Sequence, residues 1–91
     1  MKRQSIRAFG PNGSFIVHGQ TAKALRALIA AGAKGVTAFE VATWAYRFSA
    51  YCFDLRHKHG LEIATLKESH AGGWHGRHVL HTVVIIEEAS Q

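Results

Sequence analysis

The apolar residues of this chain repeat with a helical period in its first half and with a period of two further on. Leu25, Leu28 and Ile29 recur at helical spacing, Lys23 and Arg26 lie on other sides, and Gly32 follows. This predicts a helix over residues 20–31. Upstream, Ser14, Phe15, Ile16, Val17 and His18 form a β-prone run that predicts a small strand. Residues 1–13 mix basic side chains with Gly10, Pro11, Asn12 and Gly13, the composition of a flexible basic arm ending in a turn. Residues 34–37 read as an extended connector. Thr37 and Glu40 then have capping-box spacing, in which the hydroxyl accepts from the backbone N–H three residues on and the carboxylate reaches back. A short helix over 38–43 follows, with Val41 and Ala42 inside and Phe39 and Trp44 flanking.

Over residues 46–59, Phe48, Cys52 and Leu55 stand at i, i+4 and i+7, one buried stripe with Tyr51 beside it. Arg47, Ala50, Phe53, Asp54 and His57 fall on the remaining faces, and Gly60 supplies a left-handed stop. Beyond it Leu61, Ile63 and Thr65 alternate with Glu62, Ala64 and Leu66. Residues 69–77 form a tip rich in glycine and histidine, and 78–86 are a second β-prone run, so a β-hairpin is predicted. The domain is expected over 14–86, with a tail at 87–91.

With 91 residues the chain suits one domain. A hydrophobic share of 47% is a globular value. The single cysteine, Cys52, excludes an internal disulfide framework and fits a reducing compartment. No apolar run approaches the roughly 18–20 residues that span a bilayer, and the first 19 residues lack the apolar stretch of a signal peptide. A cytoplasmic protein without membrane contact is the expectation. Eleven Lys and Arg oppose six Asp and Glu, for a net charge of +5. A basic small domain without an anchor points to a polyanion, of which nucleic acid is the commonest.

Helix, short link, capped short helix, longer helix and hairpin is the order of an α+β winged helix-turn-helix fold with three helices, a C-terminal wing and a short N-terminal strand. The chain resembles a small winged-helix family of bacterial and phage proteins. The residues that carry the likeness are Leu25, Leu28 and Ile29 ending at Gly32, then Val36, Thr37 and Glu40. They continue with Arg47-Phe48-Ser49-Ala50, Cys52, Asp54-Leu55-Arg56, Gly60 and Ile63. Thr43-Trp44-Ala45-Tyr46 stands where such proteins usually place a glycine turn, and Phe48 and Cys52 replace commoner aliphatics. The resemblance implies that the third helix enters the major groove of DNA and that the wing follows the backbone.

In such an arrangement the exposed face of the third helix reads bases while flanking cations hold phosphates. The helix candidates are Arg47, Ser49, Ala50, Asp54, His57 and Lys58. Arg47 can bond guanine N7 and O6, Ser49 and Ala50 are small enough for close approach, and His57 and Lys58 suit the backbone. A solvated helix charge is the alternative for Arg47, and a stem on the core with its head on a carboxylate is the alternative for Arg56. The wing candidates are Lys67, His70, Trp74, His75, Arg77 and His78. Trp74 either stacks on a sugar or base or folds back on the apolar face.

The cluster of His70, His75, His78 and His81 raises metal binding. However, His78 and His81, three apart on a strand, face opposite sides, so no metal and no cofactor are expected. No nucleotide-binding, serine-hydrolase or zinc-protease motif is present, and Cys52 and His57 lie on different helical faces, so no enzymatic activity is expected. The leading expectation is a double-stranded-DNA-binding protein, a small transcriptional regulator or a phage or prophage accessory factor. The alternative is a protein-interaction module or a homodimer, suggested by the aromatics Phe53, Trp44, Tyr46 and Trp74.

Overall fold

A computed structural model describes residues 5–37, 39–41 and 47–87. Among them the order is β1 (Ser5–Gly10), β2 (Gly13–His18), α1 (Gly19–Ala31), β3 (Val36–Thr37), α2 (Phe48–His59), β4 (Ile63–His70), β5 (Gly73–Leu80) and β6 (Ile85–Glu87). Short 3-10 turns cover Gly32–Lys34 and Phe39–Val41. Two antiparallel sheets result, one ordered β2-β1-β6 and the other β3-β5-β4.

The first helix forms as its periodicity predicts and ends at Gly32, whose N–H bonds to the Leu28 carbonyl. Its Leu25 and Leu28 are fully buried, as are Phe48, Cys52 and Leu55 from α2. The two helices therefore meet along the stripes read from spacing. Ile6, Ala8 and Val17 close the core from the first sheet, and Leu61 and Ile63 close it from the start of the wing. Helix α2 stops because Gly60 adopts φ 69° and ψ 21°, a left-handed conformation that costs glycine little. Its N–H bonds to the Arg56 carbonyl at 3.1 Å, and that of Leu61 bonds to the Leu55 carbonyl at 3.3 Å. No described helix is long and apolar enough to cross a membrane.

The capping box is present. The backbone N–H of Thr37 donates to Glu40 Oε1 at 2.9 Å, and that of Glu40 donates to the Thr37 hydroxyl at 3.3 Å. Of the segment expected as an α-helix over 38–43, the described part, Phe39–Val41, forms a 3-10 turn, and two α-helices are seen among the described residues. Ala38 and residues 42–46, on which the expected inter-helix turn Thr43-Trp44-Ala45-Tyr46 falls, lie outside the described residues.

The N-terminal arm also departs from expectation. Residues 5–10 are a strand paired with β2 from Ser5↔His18 to Gly10↔Gly13, and with β6 at Arg7↔Glu87, Ala8↔Ile86 and Phe9↔Ile85. The physical reason is the alternation of Ile6 and Ala8, which are buried, with Ser5, Arg7 and Phe9, which face out. Glu87, assigned to the tail, thus belongs to the sheet. The run expected as one strand over 78–86 is split. Residues 81–84 leave the wing, with the Thr82 hydroxyl accepting from the Glu62 N–H at 2.6 Å, and the chain then joins the other sheet as β6.

Candidate nucleic-acid interface

Burying Phe48, Cys52 and Leu55 turns the opposite side of α2 outward, and that side carries the helix candidates. Arg47 is the residue that begins the helix (φ −105°, ψ 33°), with its carbonyl accepting from the Ala50 N–H at 2.9 Å. Its side chain is exposed, as are those of Ser49, His57 and Lys58, while Ala50 and Asp54 are partly buried. Phe53 is 53% exposed and its ring lies against that of His57, with centroids 4.1 Å apart and planes tilted by 35°. Asp54 faces Lys58 one turn on, at 4.0 Å, so the lysine has a local carboxylate partner. Arg56, His57, Lys58 and His59 fill the last turn, where cations complement the helix dipole.

Arg56 is structural. Its guanidinium donates to the Ile63 carbonyl at 3.0 Å, tying the end of α2 to the first wing strand. The acceptor is a backbone carbonyl and not the expected carboxylate. His59 stacks on Phe15 at 4.5 Å, and burial, with a smaller push from Lys58, holds its imidazole pKa below the usual histidine value. Cys52 is completely buried, and desolvation pushes its thiol up to about 12, far from a working nucleophile.

The wing is a long hairpin with a two-residue turn at Ala71 and Gly72, between the pair His70↔Gly73. The open tip expected over 69–77 is therefore mostly strand. This register decides where the wing candidates sit. Glu68 pairs across from His75, and Leu66 from Arg77. His75 Nε2 lies 2.9 Å from Glu68 Oε1, and Arg77 Nε donates to Glu68 Oε2 at 2.7 Å. The same Arg77 reaches Glu40 at 3.6 Å and donates to the carbonyls of Lys34 at 3.3 Å and Gly35 at 3.5 Å. Both carboxyls titrate below their usual range, Glu40 chiefly through its bond from the Thr37 backbone and Glu68 chiefly through Arg77.

His78 requires a correction. It was expected to contact DNA, yet it is 6% exposed, with its ring 5.5 Å from that of Phe48 and Nδ1 3.1 Å from the Thr65 hydroxyl. Its strand position pairs with Val36 on one side and Thr65 on the other, which turns the imidazole into the core. His75 and Arg77 are engaged by Glu68 within the protein. Lys67 is exposed, and the side chains of His70 and Trp74 lie outside the described residues. Glu68 is the residue that sequence reasoning missed; Glu40 was read only as a capping residue, and its contact with Arg77 was not foreseen. Counting outward from a two-residue turn at Ala71-Gly72 places Glu68 opposite His75, which was the available signal.

Among the described residues no three His, Cys, Asp or Glu side chains converge as a metal site. A groove of about 320 Å³ runs between β2, α1 and the end of α2, and includes His18, Thr21, Asp54, Lys58 and His59 in its lining.

A helix pair packed on a hairpin wing, with the second helix facing outward, defines a winged helix. Residues 14–90 match the winged helix domain family, and the chain belongs to it. No curated protein and no solved structure matches the chain.

Proposed function

We propose that this chain binds double-stranded DNA in the cytoplasm as a small transcriptional regulator or a phage or prophage accessory factor, with a binding role and no catalytic one. Helix α2 would enter the major groove and the wing would lie near the backbone. The observation that carries the reading is the outward face of α2. Arg47 leads it with an exposed guanidinium that forms no ion pair among the described residues, and Ser49, Ala50 and His57 follow on sides the core does not use. Membership of the winged helix domain family and the charge of +5 support the same reading. Backbone contacts are assigned to Lys58 and Lys67.

Arg47→Ala tests it. The variant is expected to lose selective binding to a duplex enriched from a random pool while keeping the wild-type circular dichroism spectrum. A wild-type chain that binds no duplex at low salt would remove the reading.

A second reading, association with another copy of the chain, is favoured by the outer face of the first sheet. Phe9 (43% exposed) and Ile85 (63%) are cross-strand partners there, and Ile16 lies on the same face. Arg7 and Glu87, 3.9 Å apart in the next row, give that face one charge of each sign, which suits a self-complementary contact. Light scattering of Phe9→Ser against wild type distinguishes this homodimer from a monomer.

A further inference from the structure

We infer that Phe53 determines sequence specificity by reading the C5-methyl group of a thymine, an inference that rests on the DNA-binding reading above. Phe53 is placed where a recognition helix meets base edges, on the side of α2 away from Phe48, Cys52 and Leu55, with more than half of its surface open. Ser49 stands one turn before it and His57 one turn after, and the His57 ring supports the phenyl group from one side. With Ala50 also on the outer side, small residues at the helix start allow the close approach that a ring in the groove requires.

The chemistry narrows the target. A phenyl ring has no donor or acceptor, so it can neither hold a phosphate nor bond to a base edge. The apolar feature of the major groove is the thymine methyl, and a side chain that contacts it distinguishes T from C at that position. The surroundings also argue for a groove contact over a protein contact. Protein interfaces bury clusters of apolar side chains, whereas the described residues around Phe53 on α2 are Ser49, Ala50, Asp54 and His57. Among the described residues, Phe9, Ile16 and Ile85 share an apolar face elsewhere, on the first sheet.

The test uses the full chain and a duplex enriched from a random pool. Each thymine is replaced in turn by deoxyuridine, which removes the methyl and preserves pairing, and affinity is read by fluorescence anisotropy. At one or two positions the wild type is expected to lose about fourfold, the effect of exposing one methyl-sized apolar group. Phe53→Ala should bind thymine and uracil duplexes alike at those positions, and Phe53→Leu should retain part of the discrimination. Equal uracil effects in wild type and Phe53→Ala would overturn the inference while leaving DNA binding in place. Failure of the wild type to bind any duplex would remove the underlying reading as well. A Phe53→Ala change in oligomeric state, with the uracil effect intact, would make the ring a protein contact and overturn the inference.

Discussion

His78 lies between Phe48 and Thr65 with 6% of its surface exposed, and burial, reinforced by Arg56, holds its imidazole pKa below the usual histidine value. An unfolded chain takes a proton at this residue near pH 6.5, whereas the folded chain resists it until lower pH. The stability linked to His78 is therefore fully present above about pH 6.5. It is lost as the pH falls from there towards the folded pKa, because the unfolded state binds more protons in that window. The slope cannot exceed about 1.4 kcal/mol per pH unit for one group. Between pH 7.0 and 5.5 the unfolded-state titration limits the loss to about 1.3 kcal/mol, reached when folded His78 stays neutral throughout. Urea unfolding followed by circular dichroism measures this as a midpoint shift of about 1 M at an m-value of about 1.3 kcal/mol/M. His78→Gln removes the titration and retains a polar group near Thr65. His59, whose pKa is also lowered, is common to both proteins and cancels in the comparison. Glu40 and Glu68 titrate below their usual range, so their contribution is lost only at more acidic pH. A wild-type stability that declines no more than that of His78→Gln between pH 7.0 and 5.5 would refute the burial argument.

Gly35 carries φ +75°, and a Cβ there would lie 2.8 Å from both the His78 carbonyl oxygen and Val79 Cγ2, so Gly35→Ala should cost about 2 kcal/mol or more in urea unfolding. An unchanged midpoint would contradict that close approach. Thr37→Ala removes the hydroxyl half of the capping box and should cost about 1 kcal/mol, read as a lower thermal midpoint. Native Cys52 should resist iodoacetamide at pH 8 and react fully in urea, since burial pushes its thiol up to about 12; labelling of the native protein would show an opening that exposes it. Lys67→Gln should flatten the dependence of log K on log[salt] for duplex binding by about 0.9, and an unchanged slope would place the wing away from the phosphates.

The parts of the fold legible in the sequence are those set by local rules. The stripe of Phe48, Cys52 and Leu55 follows from a helical period, the Thr37–Glu40 bonds from a spacing of three, and the end of α2 from Gly60. The parts that were not legible depend on distant partners. Strand β1 alternates Ile6 and Ala8 with polar or exposed neighbours, but the signal is short, and one of its partners, β6, lies more than seventy residues along the chain. A run of β-prone residues from 78 to 86 carries no mark of where the chain changes sheets. The segment after Thr37 shows a further limit: capping-box spacing marks where a turn begins and does not by itself distinguish a 3-10 turn, the form of Phe39–Val41, from an α-helix. For the site, sequence reasoning brought Arg47, Ser49, Ala50, Asp54, His57 and Lys58 to one helix but treated basic wing residues as available to DNA. His78 was turned inward by hairpin register, which changes faces with every residue.

That register changes the meaning of the wing. Arg77 and His75 look like a phosphate grip when read as a glycine-rich tip, but both are engaged by Glu68 within the hairpin, and Arg77 extends to Glu40 and to the carbonyls of Lys34 and Gly35. Partly exposed ion pairs of this kind add little to stability on their own. Their geometric effect is larger, because Arg77 links the hairpin to the segment that carries the capping box, and Glu40 serves both. The orientation of the wing is thereby coupled to the start of the second helical segment, while Arg56 couples its first strand to the end of α2. Charges engaged in holding the wing in place are less available to a polyanion, so the basic balance of the whole chain overstates the wing's share of any interface. On the DNA-binding reading proposed above, the discriminating chemistry would fall to α2, where Arg47 and Phe53 differ in kind: one can bond a guanine edge, the other can contact only a methyl group. A binding site that contains both would be read through a guanine and a thymine on the face that α2 presents.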